Sequence, residues 1–206
     1  MLFRFVMHAN KRAALAAGHL RWVIAALPLV PMIAAPGAAG VNKWLIDPAQ
    51  THISFSVDAV GFPRTEGEFR AFDGRIAIDF EHPALSSVSF HVQAQSVDAG
   101  SPLLSDVLRS DAFFDAPRFA MIDFVSKRIE KIDEHRVRVA GELTMHGVTR
   151  PLAVEVAVRP QPAKPRARIA FTAKATIDRL AFGMTAGYPA VSREVALTVE
   201  SEAVEH

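Results

Sequence analysis

The sequence predicts an all-β protein, in which an antiparallel closed β-barrel of about eight strands with a short helix follows a cleaved signal peptide. Three observations predict it. Apolar and polar residues alternate along most of the chain after Lys43. Turn-forming residues separate the alternating runs. The first 40 residues carry an export pattern. One-sided alternation is typical of antiparallel sheets with one wet face, and closure would remove exposed edges. A two-sheet sandwich fits the same series.

The N-terminal segment has the three parts of a signal peptide. A basic region is followed by an apolar run, Trp22–Ala35, and by small residues, Pro36–Gly40. The apolar run has about 14 residues, fewer than the roughly 17–25 that span a bilayer. We therefore predict a signal peptide at residues 1–40, cleavage near residues 39–40, and a periplasmic domain at residues 41–206. An uncleaved anchor is the alternative.

Eight runs of the mature chain read as strands. Seven alternate cleanly, and the eighth has a mixed phase that suggests apolar residues on both faces. The clean runs are His52–Asp58, Arg75–Phe80, Ser87–Gln95, Val137–Met145, Leu152–Val158, Ile169–Ile177 and Val195–Val199, and the mixed run is Phe119–Ser126.

Three segments interrupt the alternation. Ser101–Ser110 has apolar residues at helical spacing, with Ser101 as a cap and a proline at the first helical position. Asp178–Phe182 is short enough for a single helical turn or a loop. Arg159–Arg166 contains three prolines and predicts an exposed loop, because proline is excluded from central strands.

Composition argues against several classes of function. The chain has 23 basic and 22 acidic residues, so it lacks the positive surface that nucleic acid requires. It has no cysteine, which excludes disulfides and thiolate metal sites. No G-x-S-x-G motif and no local metal-binding spacing occur. We predict no enzyme activity, no metal and no cofactor, although His52 and His146 lie at strand ends, where a site could assemble across strands.

The predicted inner face is apolar and almost without charge. Such a lining cannot activate water, but it can hold an apolar chain. Several inward positions are small, among them Gly74, Ala94, Gly141 and Ala173, which would leave room inside. Alternation alone does not decide between a filled and a hollow barrel, because small residues also permit tight packing.

Several stretches of the mature chain resemble the YceI-like family of periplasmic polyisoprenoid-binding proteins. The most specific is Gly141–Pro151 (GELTMHGVTRP), and the matches occur in family order. The others are Trp44–Phe55 (WLIDPAQTHISF), Gly67–Phe80 (GEFRAFDGRIAIDF), Leu108–Phe119 (LRSDAFFDAPRF), Ile177–Gly183 (IDRLAFG) and Val191–Val199. The resemblance implies a lipocalin-like barrel whose lumen takes a long isoprenoid, either a polyprenyl chain or a quinone tail.

The resemblance also leads to candidate contacts. A histidine common in the family is replaced by Ala59, and a charged cluster is replaced at Leu104–Val107, which leaves the headgroup contacts open. His52, His146 and Arg179 are headgroup or structural candidates. Leu103, Leu104, Val107 and Leu108 are predicted to form a lid or mouth. The lumen candidates are Phe55, Val57, Ile76, Ile78, Phe90, Val92, Phe113, Phe114, Phe124, Val139, Leu143, Phe171 and Phe182.

Three alternatives to a lipid carrier stay open at this point. They are a quinone-handling redox partner of a membrane cytochrome, a barrel enzyme that acts on lipid, and a filled structural barrel. A homodimer is also compatible with the sequence.

Overall fold

Antiparallel strands dominate the part of the chain that the computed structural model describes, residues 42–79, 81–161 and 167–205. The predicted signal peptide lies outside these residues. The strands are β1 (Asn42–Ile46), β2 (His52–Ala59), β3 (Phe62–Phe69), β4 (Phe72–Ile78), β5 (Ser87–Gln93), β6 (Val97–Asp98), β7 (Met121–Lys131), β8 (Arg136–Met145), β9 (Val148–Gln161), β10 (Arg168–Asp178) and β11 (Val191–Glu205). The helix α1 spans Pro102–Arg109, and short 3-10 turns occupy Pro48–Gln50, Pro83–Leu85, Ala94–Ser96 and Arg179–Phe182.

The strands close into a barrel within the described residues. The order runs β1, β4, β5, β7, β8, β9, β10, β11, and β11 pairs back with β1. The other half of β11 pairs with β2, which continues to β3 and β6. Three of the eight barrel strands are therefore interrupted: β1 continues as β2, β3 continues as β4, and β5 continues as β6. The predicted antiparallel barrel of eight strands with a short helix is confirmed.

The antiparallel register gives the barrel two different ends. The polar end carries the Pro83–Leu85 turn and the β7–β8 turn at residues 132–135. The helix end carries α1, the β2–β3 turn and the connection from Arg179 to β11. Strand β10 has 11 residues, so the two ends are separated by roughly 35 Å along the strand.

The helix forms for the reasons that its sequence suggested. The Ser101 hydroxyl accepts a hydrogen bond from the N–H of Leu104, and Pro102 occupies the first turn. Inside the helix, the buried Ser105 hydroxyl donates to the Ser101 carbonyl and accepts from the N–H of Ala99. These bonds fix α1 against β6. The turn at Arg179–Phe182 is a single 3-10 turn, consistent with the prediction for that segment.

The predicted proline loop is partly wrong, because β9 continues through Pro160 to Gln161. The N–H of Val158 donates to the carbonyl oxygen of His135. Pro160 lies two residues further along β9, so its nitrogen faces the same side, at a point that β8 does not reach. Pro151 similarly faces the side where the ladder to β10 has ended. Both prolines therefore occupy strand positions that require no N–H donor. Residues 162–166 lie outside the described residues.

The mixed phase of the predicted run Phe119–Ser126 reflects apolar residues on both faces of the strand, because Ile122 and Phe124 face inward whereas Met121 and Val125 are exposed. Strand β7 begins at Met121 and runs to Lys131, with a bulge between Ser126 and Arg128. The extra residue moves Ile129 to the inner face, although it has the opposite parity to Phe124.

Three strands are absent from the sequence prediction, namely β1, β3 and the two-residue β6, and several strand boundaries differ from it. Strand β1 is short, and β3 (FPRTEGEF) is mostly polar with little alternation. Strand β4 ends at Ile78, and Phe80 lies outside the described residues. Strand β5 ends at Gln93 because the chain turns at Ala94 before continuing as β6. Strand β11 extends the predicted Val195–Val199 in both directions.

Candidate ligand-binding site

The inside of the barrel holds a cavity of about 340 Å³. This volume is within the range of about 300–1,000 Å³ for small-molecule sites. Its walls are almost entirely aliphatic and aromatic side chains from the inner faces of the barrel strands and from the segment that follows α1. The barrel is therefore hollow, and its interior favours an apolar ligand.

Most of the lumen candidates line this cavity. They come from β2, β4, β5, β7, β8 and β10, and three more come from α1 and the segment after it. The lining candidates are Phe55, Val57, Ile76, Ile78, Phe90, Val92, Leu108, Phe113, Phe114, Phe124, Val139, Leu143 and Phe171.

Four candidates lie elsewhere. Leu103 and Val107 are 77% and 41% exposed, and Leu104 is half-buried without lining the cavity. Only the face of α1 with Ser105 and Leu108 turns inward, so a single helical residue reaches the lumen. Phe182 is buried in a cluster with Met145, Ile177 and Met184, and it does not line the cavity. The predicted lid of four apolar residues is therefore corrected to one inward residue, Leu108.

The two histidine candidates do not line the cavity. The side chain of His52 is 63% exposed on the outer surface, with its Nδ1 3.9 Å from a Glu68 carboxylate oxygen. His146 adopts a positive φ of 52° at the β8–β9 turn, and its Nδ1 lies 3.0 Å from the carbonyl oxygen of Phe182. The ring of Phe119 packs against its imidazole at 4.9 Å. His146 therefore joins two connections at the helix end.

Arg179 is different, since it is only 3% exposed and lines the cavity. Its guanidinium donates to the carbonyl oxygens of Ser192 at 2.7 Å, Ala186 at 2.9 Å and Val191 at 2.9 Å, and also to that of Met184. Burial lowers the pKa of Arg179 from its usual value, but a guanidinium stays protonated in proteins. This residue fixes the connection into β11 and places a positive charge at the helix end of the cavity.

The sequence also missed many lining residues. They belong to recognised strands and share their inward parity, so a complete listing of inner faces would have found most of them. Examples are Ile53, Val88, Ile122, Leu152, Val154, Val156, Ile169, Leu197 and Val199. Met184 follows the Arg179–Phe182 turn, where alternation gives no signal.

Two glycines that were expected to leave room are instead covered. A Cβ at Gly74 would lie 2.3 Å from Cδ1 of Ile46, and one at Gly141 would lie 2.7 Å from Cζ of Phe124. Neighbouring side chains already fill those positions. These two glycines therefore do not create the empty space of the cavity.

The cavity reaches charged turn residues at the polar end. Lys131, Glu134 and His135 are exposed there, and Arg136 forms an ion pair with Asp133 at 2.7 Å. The N–H of His135 and the Arg136 guanidinium together lower the pKa of Asp133. This polar rim contrasts with the apolar walls, and its exposed, charged residues form one end of the lumen.

Residues 42–79, 81–161 and 167–205 contain neither a candidate metal site nor a candidate membrane-spanning helix. No three His, Asp or Glu side chains there come together in a group that could hold a metal ion. No helix within the same ranges is long and apolar enough to cross a bilayer.

Comparisons with known proteins agree with this geometry. The UPF0312 protein VVA0736 of Vibrio vulnificus is 31% identical over 137 residues, which are 66% of this chain and 72% of that protein. The crystal structure of BcnA from Burkholderia cenocepacia matches with a TM-score of 0.71 at 25% identity, covering 76% of this chain and 98% of BcnA.

A second similar structure is a polyisoprenoid-binding domain from Saccharophagus degradans implicated in plant cell wall breakdown. It matches with a TM-score of 0.64, covering 81% of this chain and 99% of the domain, and at 15% identity the likeness shows the fold. Residues 44–203 match the family described as YceI-like domain. The chain belongs to the YceI-like family.

Proposed function

We propose that this protein is a non-catalytic periplasmic carrier that holds one polyisoprenoid lipid, a polyprenyl chain or a quinone tail, inside its barrel. The observation that carries the proposal is the apolar cavity, which extends from Arg179 at the helix end to the charged turn at the polar end. A long, narrow and apolar ligand matches this shape.

Burial of the tail supplies the binding energy. Each CH₂ removed from water contributes about 0.8 kcal/mol, so ten carbons supply roughly 8 kcal/mol before the entropic costs of binding. A flexible isoprenoid tail loses conformational entropy when it binds, because the walls of the cavity limit the space in which it can move. This loss reduces the net binding free energy. The polyisoprenoid-binding domain from Saccharophagus degradans has the same fold, which supports this ligand class.

The lining also supports binding in preference to catalysis. Apart from Arg179 at the helix end, its polar side chains gather at the turns of the polar end, away from the middle of the lumen. A tail in the middle of the barrel would contact aliphatic and aromatic groups, which do not stabilise developing charge. The periplasmic location rests on the predicted signal peptide. Mass spectrometry of the protein isolated from the periplasm tests it, because the mature chain should begin near residues 39–40.

Filling the lumen tests the proposal. Ala173 lines the cavity from β10, and its neighbour Lys174 is exposed. We expect Ala173→Phe to weaken binding of a polyisoprenoid at least tenfold, because the new ring occupies the space of the tail. Lys174→Phe adds the same ring to the outer surface and should leave affinity unchanged. Displacement of a fluorescent polyene lipid from the purified variants measures both.

Equal affinities of the two variants and the wild type would refute a site in the lumen. Thermal unfolding of each variant separates loss of binding from loss of fold.

A further inference from the structure

The helix end of the cavity contains a buried positive charge that its apolar walls do not account for. Arg179 is 3% exposed and lines the cavity. The adjacent carboxylate, Asp178, is held by Arg193 on the outer surface and forms its ion pair there. Among the described residues, no carboxylate forms an ion pair with Arg179. A buried charge that forms no direct ion pair depends on its hydrogen bonds for stabilisation.

The donors of Arg179 can be counted. A guanidinium has five N–H groups. Nε donates to Ser192, one terminal nitrogen donates to Met184 and Ala186, and the other donates to Val191. These bonds use four donors. Within the described residues the fifth donor has no acceptor. It belongs to the nitrogen that donates to Val191, which itself lines the cavity.

We propose that the lipid binds with its head at the helix end of the lumen. There one neutral carbonyl oxygen of the head accepts a hydrogen bond from the fifth N–H of Arg179. The tail then extends along the lumen toward the polar end. This inference rests on the proposed function and specifies the head and its direction. A hydrogen bond from a charged donor in an apolar site is about twice as strong as a neutral one.

The number of free donors selects the class of head. A single N–H satisfies a single acceptor such as a ketone, quinone or amide carbonyl. A phosphate monoester has three strong acceptor oxygens and a charge of about −1.5 to −2. Most of its oxygens would face Met184, Val191 and Val195 without a donor, which is costly in an apolar site. Lipids with a phosphate head should therefore bind more weakly than the ketone.

The wild-type protein tests the orientation directly. The probe is geranylgeranylacetone, an isoprenoid methyl ketone, labelled with ¹³C at its carbonyl and methyl carbons. We expect nuclear Overhauser effects from the methyl ketone to Met184 and Val191, and none to Val137 and Val158 near the polar end. The labelled C=O stretch should lie at lower frequency than in an alkane, because the oxygen accepts a hydrogen bond.

A matched pair of variants tests the role of Arg179. We compare Arg179→Gln with Arg150→Gln, because Arg150 also donates to a backbone carbonyl, that of Ala181, but does not line the cavity. The measured quantity is the affinity for the ketone divided by that for the hydrocarbon of equal chain length. This ratio should fall about tenfold or more in Arg179→Gln, and it should not change in Arg150→Gln.

The possible results separate the two proposals. Contacts of the methyl ketone with Val137 and Val158, or a phosphate head that binds as tightly as the ketone, would overturn the head-first orientation while leaving a lipid site in place. If the wild type binds neither the ketone nor the hydrocarbon, the proposed function and this inference are both overturned. If Arg179→Gln does not fold, the wild-type contacts and infrared frequency decide.

Discussion

Single residues decide where the barrel is packed and where it is hollow. Gly141 shows this most clearly, because a Cβ there would lie 2.4 Å from the carbonyl oxygen of Val125 and 2.7 Å from the ring of Phe124. The backbone oxygen cannot move without disturbing the β7–β8 ladder. The Phe124 ring thus lies over Gly141 and contributes to the cavity wall.

Replacing Gly141 by alanine should therefore destabilise the fold. We expect a loss of about 1–3 kcal/mol in the free energy of unfolding, which is typical of overpacking. Gly74→Ala is the control, because its nearest obstacle is the terminal methyl of Ile46, which can rotate away, and its cost should be smaller. Urea unfolding measures both. Equal costs would show that the backbone contact does not matter.

Arg179 shows what the sequence could and could not give at this scale. Its place at a strand end, within the stretch Ile177–Gly183 that resembles the family, made it a candidate, but alternation ends at Asp178, so no sequence pattern indicated the direction of its side chain. The four carbonyl acceptors come from residues 184–192, whose conformation no local pattern specifies. The same lack of periodicity concealed Met184.

At the scale of elements, α1 contributes one side chain to the lumen. Leu108 is 6% exposed and packs with Phe55 and Phe69, whereas Leu103 on the same helix is 77% exposed. Helical spacing predicted the helix and its cap correctly. It did not show which face turns inward, because all four apolar residues fit one broad stripe.

The two leucines provide a matched comparison. Leu108→Ala should lower the free energy of unfolding by about 2–5 kcal/mol, because it removes a buried side chain. Leu103→Ala should change it by less than about 0.5 kcal/mol, as is usual for exposed positions. Chemical denaturation followed by tryptophan fluorescence measures the difference. Similar losses in both variants would contradict the orientation of α1.

The strands were predictable where one face is wet and the other dry. Strands β8 and β10 keep strict alternation, and their predicted limits agree with the structure within one residue. Strand β3 is exposed over much of its length, so no apolar period marks it. The extension of β9 through Pro160 depends on where β8 ends, which is a tertiary fact that no local signal contains.

At the scale of the whole molecule, closure accounts for both stability and function. Pairing of β11 with β1 completes the ring, so the main barrel strands have partners on both sides. The sequence predicted the closed eight-stranded form. It left the interior undecided, because the volume inside a barrel depends on strand tilt and stagger as well as side-chain size.

The central claim is that the lumen holds a polyisoprenoid. The most direct test is native mass spectrometry of the mature protein from its own host, followed by extraction and identification of the released lipid. We predict one reproducible apolar adduct per barrel, identified as an isoprenoid with a single carbonyl-bearing head. A mass of the unliganded protein alone, with no uptake of added isoprenoid ketones or quinones, would contradict the claim.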